Sequence, residues 1–170
     1  MAGVAAAAVL LAVLACLIGG SIIRAGWGLA DDADDRDRHR GRLDQACEAL
    51  DTRLNRLVPP GATGGDPRRR ADAVRDENSA LRPLLAELEE LTGGERDGAR
   101  RHREWASSWR QLVEARATYA DALERQATAG EPAFFVAPRA AGGDTVVEAL
   151  TRKAPRSCDG AIRRLAQPDL

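Results

Sequence analysis

The side chains able to do chemistry are few. Two histidines, His39 and His102, and three cysteines, Cys16, Cys47 and Cys158, supply the soft ligands and the usual nucleophiles. Neither His-x-x-x-His nor Cys-x-x-Cys spacing occurs among them, so no metal site is expected. Ser107, Ser108 and Ser157 offer hydroxyls without a recognisable base arrangement. No glycine cluster follows a strand to open a helix, so neither a phosphate cradle nor a cofactor is expected. Carboxylates abound, but nothing arranges them toward a reaction, and the chain reads as non-enzymatic.

Three groups of residues carry two readings each. Trp105 and Trp109 lie one helical turn apart on a shared face. They either fill a core, the common use of tryptophan at seam spacing, or stack on envelope sugars from an exposed face. Arg116 falls on the same seam and needs a partner. Asp72 or Asp76 is within its reach if the helices pair as described below, the alternative being a side chain that snorkels to the core edge. Cys47 and Cys158 either remain buried thiols or form a disulfide that pins the tail to the first helix. Closing a loop of about 100 residues is worth up to roughly 4–5 kcal/mol in the chain-entropy model.

The elements that must position these groups begin with residues 4–23, VAAAAVLLAVLACLIGGSII, which carry no charge. As a helix rising about 1.5 Å per residue, the run is roughly 30 Å long, enough to cross a bilayer core. Trp27 follows as an interfacial marker, and the segment reads as a single-pass signal anchor. A cleaved signal has a loose site at Gly28-Leu29-Ala30 but lacks a basic leader. A lipoprotein site at Cys16 is disfavoured because the chain stays apolar through Ile22 and Ile23. Basic residues follow the run, from Arg24 through Arg36, Arg38, Arg40 and Arg42, and counting them alone places the C-terminal part in the cytoplasm. A disulfide argues the opposite. The expected arrangement is a transmembrane anchor over 4–23, a charged juxtamembrane tether over 24–42 and an extracytoplasmic domain over 43–170.

Composition suits a small helical domain. Charged residues make up 30% and apolar residues 44% of the chain, with a net charge of −1, which implies no bulk attraction to nucleic acid. Aromatic residues are scarce, so Leu, Val and Ala must build the core. The mixed-charge run over 31–42 has no apolar stripe and no calcium-loop spacing. From Leu43 the stripe Leu43, Cys47, Leu50, Leu54 and Leu57 steps by alternating fours and threes, and Pro59-Pro60-Gly61 ends that helix.

A second helix starts at Asp66 as N-cap with Pro67 behind it, and carries Val74, Asn78, Leu81, Leu85 and Leu88, with Leu84 and Leu91 alongside. Pro83 predicts a kink near 79–82. A third helix over 99–129 carries His102, Trp105, Trp109, Leu112, Arg116, Tyr119 and Leu123, and Gly130 and Pro132 stop it. Residues 133–136 form a short extended piece, and Thr145-Val146-Val147-Glu148 opens a short helix as a capping box, which Pro155 ends before a polar tail that carries Cys158. The predicted fold is all-α: three long helices and a short C-terminal one, with an antiparallel hairpin joining 71–91 to 99–129. Glu87, Glu89 and Glu90 then oppose Arg100, Arg101 and Arg103, while Arg68, Arg69 and Arg70 lie near Asp121 and Glu124.

The chain also resembles a family of uncharacterised actinobacterial single-pass membrane proteins. The resemblance rests on the N-terminal anchor, the early helix cysteine Cys47, and Trp105-x-x-x-Trp109-Arg110 followed by Arg116, Tyr119-Ala120 and Leu123. Phe134-Phe135-Val136 and Pro155-Arg156-Ser157-Cys158 complete it. Ala115 departs from it where an acid is expected. The resemblance implies an envelope location and a paired cysteine, but no activity. The expected role is that of a membrane-anchored interaction module whose partners are the lipid bilayer and an envelope protein or polymer. Alternatives are a division- or secretion-type scaffold that dimerises through coiled-coil seams, and an envelope hydrolase.

Overall fold

The structure is a computed structural model and describes residues 37–92, 97–140 and 142–168. The chain divides into two units, Met1–His39 and Arg40–Leu170, and the account below concerns the second. The anchor expected over 4–23 lies outside the described residues. Among the described residues, no helix is long and apolar enough to cross a membrane.

The described residues are helical, as the apolar periodicity predicts. Helix α1 covers 37–54. The double proline then forces a short 3-10 turn over Pro60–Ala62. Gly64 and Gly65 follow with φ of 71° and 82°, a left-handed conformation that glycine adopts without penalty. Helix α2 spans Pro67–Ala80, and the Asp66 carboxylate accepts a hydrogen bond from the Arg68 amide at 2.9 Å. Helix α3 spans Arg82–Thr92, and α4, the longest, spans Asp97–Ala129. Gly130, with φ of 73°, ends α4 by donating its amide to the Gln126 carbonyl. Helix α5 spans Val146–Lys153 and opens with the full capping box: Thr145 accepts from the Glu148 amide, and Glu148 reaches back to the Thr145 amide. Helix α6 spans Asp159–Ala166.

Two expectations need correction. Pro83 does more than kink a helix. Lacking an N–H, it divides the predicted second helix into α2 and α3, with Leu81 at the joint. The buried stripe resumes after the break as Leu81, Leu84, Leu88 and Leu91, while Leu85 moves to the edge of the core. The tail beyond Pro155 is the second correction. Polar in composition, it nevertheless forms α6, because Ala161, Ile162 and Leu165 recur at helical spacing and are all buried.

Helix α4 packs along α2 and α3 as an antiparallel hairpin. Cross-contacts descend in register from Thr92 with Arg103, through Glu89 with Arg110, to Arg75 with Asp121 and Glu124. The charged ends face one another as the sequence predicts, but with other partners. Glu87 and Glu90 pair with Arg42 on α1, at 2.5 and 2.6 Å, and Arg75 takes both Asp121 and Glu124. The main core joins the α1 stripe to α3, to the first half of α4, and to Val146, Leu150, Ile162 and Leu165. A smaller cluster gathers Val74, Tyr119 and Leu123 farther along the hairpin.

Candidate functional site

Cys47 and Cys158 are joined in a disulfide, with Cα atoms 4.9 Å apart and a sequence separation of 111. Both are completely buried. Around the bond, α6 and its lead-in are fastened to α1 and to the turn that follows it at successive points. The Ser157 hydroxyl donates to the Asp44 carboxylate at 2.6 Å, and Arg164 donates to the Leu57 carbonyl at 3.1 Å. Gly160 lies so close to α1 that a Cβ there would meet the Asp51 carboxylate at 2.9 Å. These pairs ascend together in sequence, so α6 runs parallel to α1. A disulfide enclosed in this way is a structural staple, since no thiol can reach its sulfurs without opening the helix pair.

Arg116 anchors a second buried constellation. Its partner is Glu77, a correction to Asp72 or Asp76. Both aspartates are exposed, whereas Glu77 lies three residues after Val74 and four before Leu81, on the buried face of α2. Arg116 further donates Nε to the Asn78 side chain at 2.9 Å and Nη1 to the Leu165 carbonyl at 2.6 Å. Glu77 takes a second cation, Arg164 of α6, at 2.7 Å, and Asn78 passes its own N–H to the Val113 carbonyl. Burial pulls the Arg116 guanidinium below its ordinary pKa, and the Glu77 charge opposes that pull. Every strong donor and acceptor at this point therefore has a partner, which is the condition under which a buried charge is tolerated. The network couples α2, α4 and α6 and ends at Leu57. Asn78 was legible on the seam; Glu77 and Arg164 were missed. Their helical phase was the available signal.

Trp105 and Trp109 are both buried, edge to face with ring centres 5.9 Å apart. Trp105 donates its indole N–H to the Leu150 carbonyl at 3.3 Å. This is the core reading, and neither ring is placed to stack on a sugar. His39 and His102 are half-buried. No group of three or more His, Cys, Asp or Glu among the described residues is arranged to hold a metal ion. A shallow cleft of about 310 Å³ opens between α1 and α3, lined by Arg42, Gln45, Arg53 and Glu87 over an apolar floor.

The surface feature that stands out is the segment after α4. From Gly130 to Pro138 the chain runs without a helix, turn or bend. Phe135 points inward and meets Tyr119 edge to face at 5.9 Å, touching both core clusters. Phe134 and Val136, on either side of it, point outward and are each 75% exposed. Among the described residues, Val58 is the other large apolar side chain left in solvent. Residues 131–137 make no backbone hydrogen bond to the described residues. The sequence predicts the extended piece, but not which way its side chains face. No protein-family model, curated protein or solved structure matches the chain.

Proposed function

We propose that this chain is a membrane-tethered, non-enzymatic interaction module whose helical domain lies outside the cytoplasm and engages another polypeptide. The observation that carries the reading is the outward pair Phe134 and Val136, held on an extended segment whose residues 131–137 make no backbone hydrogen bond to the described residues. Ordering such apolar side chains in water has a cost that only a partner recovers. The buried disulfide supports an oxidising compartment, and hence residues 4–23 as an anchor with the domain on the far side of the membrane. This agrees with the envelope location that the resemblance to actinobacterial membrane proteins implies. Coiled-coil scaffolding draws no support from the seams, which are spent inside the bundle.

The test is a photoreactive amino acid placed at Phe134 in intact cells. A discrete crosslinked polypeptide, identified by mass spectrometry and absent when the probe sits at exposed Thr118, supports the module. Equal, diffuse labelling from both positions removes it.

A further inference from the structure

We infer that the polypeptide engaged by this edge is a second copy of the chain, which pairs with it as an antiparallel two-stranded ribbon centred on Phe135. The inference rests on the interaction-module reading above and gives the edge its partner.

The segment is Glu131-Pro132-Ala133-Phe134-Phe135-Val136-Ala137-Pro138-Arg139. Read outward from Phe135 it is self-complementary. Two copies aligned antiparallel place Phe134 opposite Val136, Ala133 opposite Ala137, Pro132 opposite Pro138 and Glu131 opposite Arg139. Two-fold symmetry repeats every pair, as an isologous contact requires. The end charges therefore attract twice, whereas a shift of one or two residues loses both attractions.

The hydrogen-bond pattern agrees with the same register. In an antiparallel pair, facing residues alternate between those that exchange N–H···O bonds and those that do not. With Phe135 at a bonded position, Glu131, Ala133, Ala137 and Arg139 are bonded as well. Both prolines then fall at positions whose nitrogen faces away from the partner, where a missing N–H costs nothing. Phe134 and Val136 occupy the non-bonded positions, where facing side chains approach most closely and aromatic with β-branched pairs are favourable. The remaining obstacle to a two-stranded ribbon is the cost of ordering its strands. Here that cost is largely met in each copy beforehand: Phe135 is seated against Tyr119, and the prolines restrict the backbone at both ends. Glu131 and Arg139 are exposed and able to turn to a partner. Among the described residues, Glu131 has a 3.7 Å contact with Arg125, and Arg139 donates to the Gly143 carbonyl.

The test uses the full chain in a mild detergent, in a Cys16→Ser background. Sedimentation should show a dimer that Phe134→Asp dissociates. Glu131→Arg or Arg139→Glu alone places like charges opposite each other at both ends and should weaken association about tenfold. The two reversals combined restore the attraction and should return association to within about twofold of the parent. Oxidation of a mixture of Phe134→Cys and Val136→Cys chains should crosslink unlike chains in preference to like ones. Circular dichroism of each variant checks that the helices remain.

A monomer at all concentrations, a dimer indifferent to Phe134→Asp, or a double reversal no better than the single ones would overturn the self-pairing. In that case a crosslink from Phe134 to a different polypeptide in cells would keep the module with another partner. A monomer whose position 136, spin-labelled in bilayers, is reached by lipid-soluble oxygen would assign the edge to a lipid surface instead.

Discussion

The α1–α6 contact and the segment after α4 make opposite use of similar lengths of chain. On α6, a short polar helix is fastened by a disulfide, a serine–aspartate hydrogen bond and an arginine that reaches both Glu77 and the Leu57 carbonyl. After α4, a more apolar segment is held by one inward aromatic ring, leaves two large side chains in water, and makes no backbone hydrogen bond to the described residues over 131–137. The few apolar residues of a polar sequence became core, and two large apolar residues of the other became surface. Composition therefore does not decide burial by itself; whether a partner is available for each group does.

The comparison breaks most sharply at Arg116. Arg116→Ala leaves Glu77 buried with Arg164 as its remaining cation and should cost about 3–5 kcal/mol of folding stability, measured by urea denaturation. Replacing Glu77, Arg116 and Arg164 together by leucine should recover part of that loss, because no charge of the network is then stranded against an apolar surface. Should the three substitutions prove as damaging as the single one, the ion pairs themselves, and not the stranding of a charge, dominate. Breaking the disulfide comes next. Cys47→Ala with Cys158→Ala should lower stability by about 2–5 kcal/mol. Hydrogen exchange should then rise first in α6, and exchange that rises uniformly would show that α6 is not held by the staple.

Smaller effects sharpen the other side of the comparison. Trp105→Phe removes the bond to the Leu150 carbonyl and should cost about 1–2 kcal/mol, visible as a lowered melting temperature. Phe134→Ser should change the stability of the domain by less than about 0.5 kcal/mol while abolishing crosslinking from a photoreactive residue at Val136. A large loss of stability there would mean that the ring serves the fold.

Acid acts on the exposed carboxylates. Hydrogen bonds from Lys153 and Arg100 hold Glu104 below its ordinary value of 4.5. Arg75 does the same for Glu124, and the backbone and hydroxyl of Thr145 do so for Glu148. These groups bind protons less readily folded than unfolded. Their contribution is therefore fully present above pH 4.5 and is lost as pH falls through the lowered folded values. A melting temperature that declines below pH 4.5, with no change between pH 6 and 8 from these groups, is the expected profile.

Much of this molecule could be read from its sequence because the relevant physics is short-ranged. Apolar residues three and four apart mark a buried helical face, so the stripes of α1 and α4 and the burial of Trp105 and Trp109 were legible. A proline, a glycine or a Thr-x-x-Glu box acts within one turn, so the ends of α4 and α5 were legible too. The cysteine pair was legible because only Cys47 and Cys158 lie beyond the apolar run.

The tertiary structure decided what depends on how one element is turned and shifted against another. Neighbouring residues on a helix differ by about 100° in direction and 1.5 Å in height, so choosing Glu77 over Asp76 as the partner of Arg116 required the placement of α2 against α4. The same placement determined that α6 carries Arg164 back to Glu77. In the segment after α4, alternation alone allows either Phe135 or its two neighbours to face inward. The docking of Phe135 on Tyr119 settled that choice and left Phe134 and Val136 outside.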